Sequence, residues 1–233
     1  MIPLRDELRT RRVPWMTWGI IAANAAVFAY TMRLSTSLLG PDGAAVNAFI
    51  DRFAFIPARF TAAPLSSAAL MTVLAAMFMH AGWLHIGFNM LYLWVFGNDI
   101  EDRLGPFPYL AFYLVCGVVA TLTQWFVDPN SAVPVLGASG AIAGVLGSYI
   151  LLYPRSRITT LIPLFVIFEV AQVPAWIVFG VFFLLQVASA AVSIGNPSSG
   201  GVAVFAHIGG FLAGMALTIP VLVRDRMTRR LDS

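Results

Sequence analysis

Long apolar runs, separated by short polar breaks, make up most of this 233-residue chain. A helix needs about 20 residues, within a range of about 17–25, to cross the hydrocarbon core of a membrane. The pattern therefore predicts an all-α membrane protein, built as a six-transmembrane-helix bundle. The predicted spans are 15–32, 83–98, 107–127, 139–153, 173–193 and 202–223.

Two of the predicted spans are short for a membrane crossing. The second can extend backwards into the apolar run 66–80, and the fourth begins abruptly at Ser139. A short helix with a polar start is tolerated where its end lines a protected aqueous cavity. The segment 33–82 is too apolar for a simple solvent loop, so we expect a first loop that is partly embedded against the bundle. The glycine, proline and serine content of 194–202 predicts a flexible outer loop.

Composition and charge agree with membrane insertion. Hydrophobic residues make up 59% of the chain, charged residues 11%, and the mean hydropathy is +0.83. All 14 basic residues are arginines at the edges of apolar runs, which does not suggest a nucleic-acid partner. With the N-terminus inside, only Arg33, Arg52 and Arg59 lie outside, and the other 11 lie on the cytoplasmic side. This asymmetry is expected of six spans with both termini in the cytoplasm.

The predicted spans divide the chain into three parts. Residues 1–14 form a cytoplasmic N-terminal segment, 15–223 the membrane domain and 224–233 a cytoplasmic basic tail. The arginine-only, alanine-rich composition and the lack of a targeting extension fit a multi-pass protein of a bacterial inner (plasma) membrane.

Three polar islands interrupt the apolar sequence, at 79–89, 137–140 and 206–210, and they hold all three histidines. Polar side chains at membrane depth are costly, so they usually face an internal cavity and mark function. We interpret the three islands as parts of one active site.

Ser139 and His207 are the candidate nucleophile and base. Ser139 begins the fourth predicted span between Gly137 and Gly140, and the free N–H groups of a helix start favour a developing oxyanion. His207 falls at a similar depth in the last span, where a neutral imidazole can accept the serine proton and return it to a leaving amine. The only acid away from the span edges is Glu169, predicted on the opposite side, so the pattern indicates a Ser–His dyad.

His85 and Asn89 are four residues apart and share one face of the second span. Each offers an N–H donor suited to an oxyanion hole, where the loss of one donor typically costs about 2.7–4 kcal/mol. Each residue also has an ordinary structural interpretation. Ser139 alone could be a small packing residue, Gly210 and Gly214 a helix-packing pair, and His80 a group that hydrogen-bonds the embedded segment.

The motifs together resemble the rhomboid family of intramembrane serine proteases. The resemblance rests on His80-x4-His85-x3-Asn89, Gly137-Ala138-Ser139-Gly140 and Ala206-His207-x2-Gly210-x3-Gly214, and covers roughly residues 50–222. It implies a six-span rhomboid-like bundle with Ser139 as nucleophile, His207 as base, and His85 and Asn89 in the oxyanion hole. It also implies supporting roles for Gly137, Gly140, Gly210, Gly214 and His80, a substrate gate near Phe88, and a cap loop at 194–202.

Two features depart from the family pattern. The first loop lacks the Trp-Arg pair that many rhomboids have. Some members also have a tyrosine four residues after the nucleophile, stacked on the base histidine, and here that position is Ala143. Another group must then orient His207.

The resemblance implies a serine endopeptidase that cleaves membrane-protein substrates, single-pass or polytopic, in or next to their transmembrane segments. It implies a lipid bilayer as surroundings and no cofactor, metal or nucleic acid. The alternative is an inactive rhomboid-like protein that binds transmembrane clients. A bis-histidine haem or metal site at His85 and His207 gives no role to Ser139, and a transporter would show matching broken spans in its two halves.

Overall fold

The computed structural model describes residues 1–164, 167–195 and 203–231. Within these ranges the chain forms nine α-helices and three β-strands. The helices are α1 (Trp15–Leu34), α2 (Ala44–Phe53), α3 (Pro57–Ala62), α4 (Ser67–Ala75), α5 (Trp83–Leu104), α6 (Pro106–Val127), α7 (Ser139–Leu152), α8 (Ala175–Gly195) and α9 (Val204–Leu231). The strands are β1 (Ile2–Asp6), β2 (Arg157–Leu164) and β3 (Ile167–Pro174).

The protein is mostly helical, and α1, α5, α6, α7, α8 and α9 occupy the six predicted spans. Among the described residues, three helices are long and apolar enough to cross a membrane, within Pro106–Val127, Ala175–Val192 and Val204–Asp225. A fourth crossing is possible if the bent pair Ser67–Phe78 and Trp83–Leu104 counts as one span. The two halves of that pair meet at 81°, so the second predicted span can extend back into 66–80 only through a sharp bend.

The prediction of an all-α protein agrees with a mostly helical chain, but it is wrong in excluding strands. β1, β2 and β3 form an antiparallel sheet in that order, which joins the N-terminal segment to the connection between α7 and α8. β2 has the sequence RITTLIPL, whose β-branched residues favour a strand. The sheet is tied to the helices through Tyr149, whose hydroxyl lies 2.6 Å from Asp6 Oδ2 and 3.2 Å from Ser156 Oγ.

A buried carboxylate joins α5 to the start of α1. Pro14 precedes α1 and supplies no side-chain cap. The Glu101 carboxylate instead accepts hydrogen bonds from the backbone N–H groups of Met16 (2.9 Å) and Thr17 (2.7 Å), and from the Thr17 hydroxyl (2.7 Å). An anion at a helix N-terminus satisfies free donors and complements the positive end of the helix dipole.

The embedded first loop holds the chain just before α7. Phe55 exchanges two backbone hydrogen bonds with Val135, of 2.7 and 3.1 Å, and the Gly137 N–H donates to the carbonyl of Ala76 at 2.8 Å. Phe55 is buried in a small apolar cluster with Phe60 and others from α3 and α4. Residues 55–76 therefore fix the position of the segment that leads into Ser139.

Helices α7 and α9 run parallel in close backbone contact. A β-carbon added at Gly210 would overlap the carbonyl oxygen of Gly140, and one added at Gly214 would overlap that of Gly144. One turn further along both helices, the hydroxyl oxygens of Thr218 and Ser148 are hydrogen-bonded at 2.7 Å. These three levels repeat every four residues on both helices, with glycine required at the first two and a pair of hydroxyl groups at the third.

We expect Gly214→Ala to lower the free energy of unfolding by about 1–3 kcal/mol, because the new methyl group has no space against the α7 backbone. Gly180→Ala is the matched control, since Gly180 lies within α8 with nothing within 4 Å of an added β-carbon. Unfolding in a detergent titration measures both variants. Equal stability of the two would contradict the close packing of α7 and α9.

Candidate active site

Ser139 and His207 come together at the starts of α7 and α9. His207 Nε2 lies 2.8 Å from Ser139 Oγ, and His207 is buried within the bundle. Ser139 is the first residue of α7, and no side chain caps that helix start. The arrangement gives a hydroxyl in direct hydrogen-bond contact with a base, beside the free N–H groups of a helix N-terminus.

Two side chains of α8 orient the His207 ring. Nδ1 lies 3.0 Å from the amide oxygen of Gln186, and the Phe182 ring packs at a tilt with its centroid 6.4 Å away. Because Gln186 Oε1 can only accept, Nδ1 carries the proton, which leaves the Nε2 lone pair to accept the Ser139 hydroxyl hydrogen. Gln186 and Phe182 therefore contact the His207 ring, which needs an orienting group because position 143 is alanine.

The sequence analysis did not predict a role for either of these α8 residues. The signal available was Gln186, an amide within the apolar span 173–193, since a polar side chain at that depth needs a partner. Phe182 precedes it by one helical turn and so lies on the same face. Neither partner could be assigned without knowing that α8 packs against α9.

His85 and Asn89 line the same cavity as Ser139. The cavity has a volume of about 1260 Å³ and also includes Phe88, Gln186 and His207. Asn89 is buried, and within the described part of the chain its Nδ2 has no hydrogen-bond partner. The Ala81 N–H donates to His85 Nδ1 at 3.4 Å, so the Nε2 of that ring is directed elsewhere. The site thus holds an amide donor available to a ligand.

Gly137 makes room for the His85 ring. Its φ of 126° lies in the region that favours glycine, and an added β-carbon would be 2.8 Å from His85 Nε2. The backbone of the Gly137-Ala138-Ser139-Gly140 motif therefore passes directly beside the imidazole.

The other residues singled out in the sequence lie at different positions relative to the cavity. His80 is buried and packs edge to face against His85, with ring centroids 5.0 Å apart. Phe88 is 43% exposed at the cavity rim on α5. Glu169 lies in β3, in the sheet at the other end of the bundle. Of the loop predicted at 194–202, residues 196–202 lie outside the described part of the chain.

The model of the Rhomboid domain family matches residues 67–224. Rhomboid protein 1, mitochondrial, of Saccharomyces cerevisiae is 30% identical over 171 residues, which cover 70% of this chain and 46% of the yeast protein. RHOMBOID-like protein 5 of Arabidopsis thaliana is 26% identical over 234 residues, covering 92% of this chain and 71% of the relative. Rhomboid-like protein 11, chloroplastic, of the same plant is 42% identical over 76 residues, covering 33% and 27%. The chain spans less than half the length of the yeast and chloroplastic relatives.

These similarities correct the expected location. The names of the yeast and chloroplastic relatives give a mitochondrial and a chloroplast location. The prediction of a bacterial inner membrane is therefore wrong. That prediction rested on composition, which describes a membrane protein without identifying its membrane.

We expect Gly137→Ala to destabilise the protein by about 1–3 kcal/mol, because alanine is strained at this φ and its methyl group meets the His85 ring. Gly82→Ala is the control, since Gly82 directly precedes α5, the helix that carries His85, in an extended conformation with open space around it. Thermal unfolding of both variants in one detergent compares them. A Gly137→Ala protein as stable as Gly82→Ala would contradict the contact.

Proposed function

The chain belongs to the rhomboid family, and from this we propose that it is a serine endopeptidase that cleaves substrates within the membrane. The observation that supports the proposal most directly is the 2.8 Å contact between Ser139 Oγ and His207 Nε2 inside a large cavity. A packing serine would not need a buried imidazole whose second nitrogen is itself held by a hydrogen bond.

In the proposed reaction Ser139 Oγ attacks the carbonyl carbon of the scissile peptide bond. His207 Nε2 takes the hydroxyl proton as the new C–O bond forms, and Gln186 holds the opposite ring N–H so that the ring stays aligned. The tetrahedral intermediate collapses, the C–N bond breaks, and the leaving amine receives the proton from His207. A water molecule, deprotonated by the same nitrogen, then hydrolyses the acyl-enzyme.

The proposed role of Asn89 is to stabilise the negatively charged oxygen of the tetrahedral intermediate. Its Nδ2 is buried and has no partner among the described residues, so a new acceptor can bind it without displacing an existing hydrogen bond. His85 and the start of α7 complete the proposed set of donors. Donors fixed in place before the charge develops are the most effective in stabilising a transition state.

The membrane arrangement we propose has six spans, with both termini on the side opposite Ser139. Up to four helices of the described chain are long and apolar enough to span, and α1 and α7 would supply the other two. The 14 residues of α7 are only about 21 Å long, less than a hydrocarbon core of about 30 Å. The site would therefore lie below the membrane surface, where a cavity is needed to admit water.

The proposed substrates are transmembrane segments of single-pass or polytopic proteins, cut in or near the membrane. A substrate helix must unwind locally to present its carbonyl to Ser139, so residues that weaken a helix should favour cleavage. Phe88, exposed on α5 at the cavity rim, is placed to control entry from the lipid. An organellar membrane is the location that the names of the relatives support.

We expect Ser139→Ala and His207→Ala each to reduce cleavage at least about 1,000-fold, because the residues of a catalytic pair act as one unit. The assay uses the reconstituted chain and a fluorogenic transmembrane peptide with small residues near one membrane boundary. Gly180→Ala, far from any contact, is the control. If both active-site variants still bind the peptide and wild type never cleaves a broad panel of such peptides, the protein is a binding protein rather than a protease.

We expect Gln186→Leu to lower kcat about 10- to 100-fold with little change in KM, because the His207 ring loses its alignment. Gln186→Glu should restore part of the rate and move the acid limb of the pH–rate profile to higher pH. The added carboxylate favours the protonated imidazole, so the neutral base is lost at a higher pH as the solution is acidified.

Leu185→Ala, an adjacent exposed position, is the control for general effects on α8. A purely structural role for Gln186 would lower the stability and leave the pH–rate profile unmoved. That result would remove Gln186 from the proposed mechanism.

A further inference from the structure

A second cavity lies at the end of the bundle opposite Ser139, with a volume of about 960 Å³. Five arginines line it from three parts of the chain. Arg9, Arg11 and Arg12 come from the segment before α1, Arg103 from the last turn of α5, and Arg224 from α9. Residues distant in sequence thus bring their guanidinium groups to one place.

The charge in this cavity is not balanced. Three aspartates face the five arginines, which leaves an excess of two positive charges. Arg103 pairs with Asp225, and Asp102 accepts the backbone N–H of Arg12 at 3.0 Å. In the described part of the chain, the exposed guanidinium groups of Arg9, Arg11 and Arg12 take part in no ion pair. These three groups are available to an anion.

The lengths of α5 and α9 each give the distance between the Ser139 site and this cavity. From His85 to Arg103 along α5 is about 27 Å, and from His207 to Arg224 along α9 is about 26 Å, at 1.5 Å per residue. Both lengths approach the thickness of a hydrocarbon core, about 30 Å. In the six-span arrangement proposed above, on which this step rests, the arginines lie at the level of the lipid phosphates of the leaflet opposite the Ser139 site.

The walls of the cavity are amphiphilic. Four half-buried leucines, Leu8, Leu104, Leu152 and Leu222, line it together with the charged groups. The helix that follows Arg12 begins with Trp15, which is 67% exposed, as interfacial tryptophans usually are. A soluble anion uses only the arginines, whereas a phospholipid also uses the apolar wall.

We propose that this cavity binds a phosphate ester anion, and that a phospholipid headgroup from the adjacent leaflet supplies it. Arg11 and Arg12 contact the phosphate oxygens, and the leucines contact the glycerol and the upper acyl chains. Guanidinium groups form paired hydrogen bonds with phosphate oxygens, and basic pockets between helices bind anionic headgroups at the membrane boundary. The site joins the N-terminal segment, α5 and α9, which no other described contact links at one point.

The test measures lipid retained by the purified full chain in native mass spectrometry. The micelles contain equal amounts of dioleoyl phosphatidylglycerol and dioleoyl phosphatidylcholine. Arg11→Gln/Arg12→Gln is the test variant, and Arg5→Gln/Arg155→Gln is the control. Arg5 and Arg155 are exposed arginines at the same end of the bundle that do not line the cavity, so both variants lose the same charge. Arg9→Gln replaces the test variant if thermal unfolding shows that the double substitution does not fold.

We expect wild type and the control to retain one phosphatidylglycerol per chain in preference to phosphatidylcholine. The test variant should retain it roughly 30-fold more weakly, the combined effect of two arginines near a lipid surface. If excess inorganic phosphate displaces the lipid and binds alone with the same dependence on Arg11 and Arg12, the site takes a soluble phosphate. Equal retention by test and control variants, or no preference for phosphatidylglycerol, would overturn the proposal.

Discussion

The backbones of α7 and α9 approach until the carbonyl oxygens of Gly140 and Gly144 occupy the space that β-carbons would take at Gly210 and Gly214. Helices in a bilayer gain little from the hydrophobic effect, since lipid is as apolar as their side chains, so close backbone packing supplies the attraction. Because the two helices run parallel in a fixed register, their first turns lie at one level. That register is what puts the Ser139 hydroxyl 2.8 Å from the His207 ring.

Hydrogen bonds between side chains link several of the helices. Ser139, His207 and Gln186 form a continuous line of hydrogen bonds across α7, α9 and α8. At the other end of the bundle, Glu101 satisfies the start of α1 and Tyr149 joins α7 to the sheet. Several buried polar atoms have no partner among the described residues, and of these the Asn89 amide is the one that lines the Ser139 cavity, where a ligand can reach it.

The sequence predicted the features that depend on local patterns. Apolar runs of span length placed the starts of six helices to within two residues, and the helix start at Ser139 agrees with the structure because a polar residue interrupts the run there. The bend at 79–82 was missed, since both of its arms are apolar and only their packing separates them. The sheet was missed because its strands come from the N-terminal segment and from the connection between α7 and α8, which are far apart in sequence and were interpreted mainly by their arginines. The role of Gln186 depends on the packing of α8 against α9, which no single span reveals.

In the proposed mechanism, His207 activates Ser139 as a nucleophile. Treating the detergent-purified protein with a fluorophosphonate, which reacts with activated serines, tests this directly. Mass spectrometry then locates the adduct, with Ser139→Ala and His207→Ala as controls. We expect an adduct on Ser139 of the wild-type protein that is lost in both variants. A folded wild-type protein that takes no label, or one labelled equally well without His207, would contradict it.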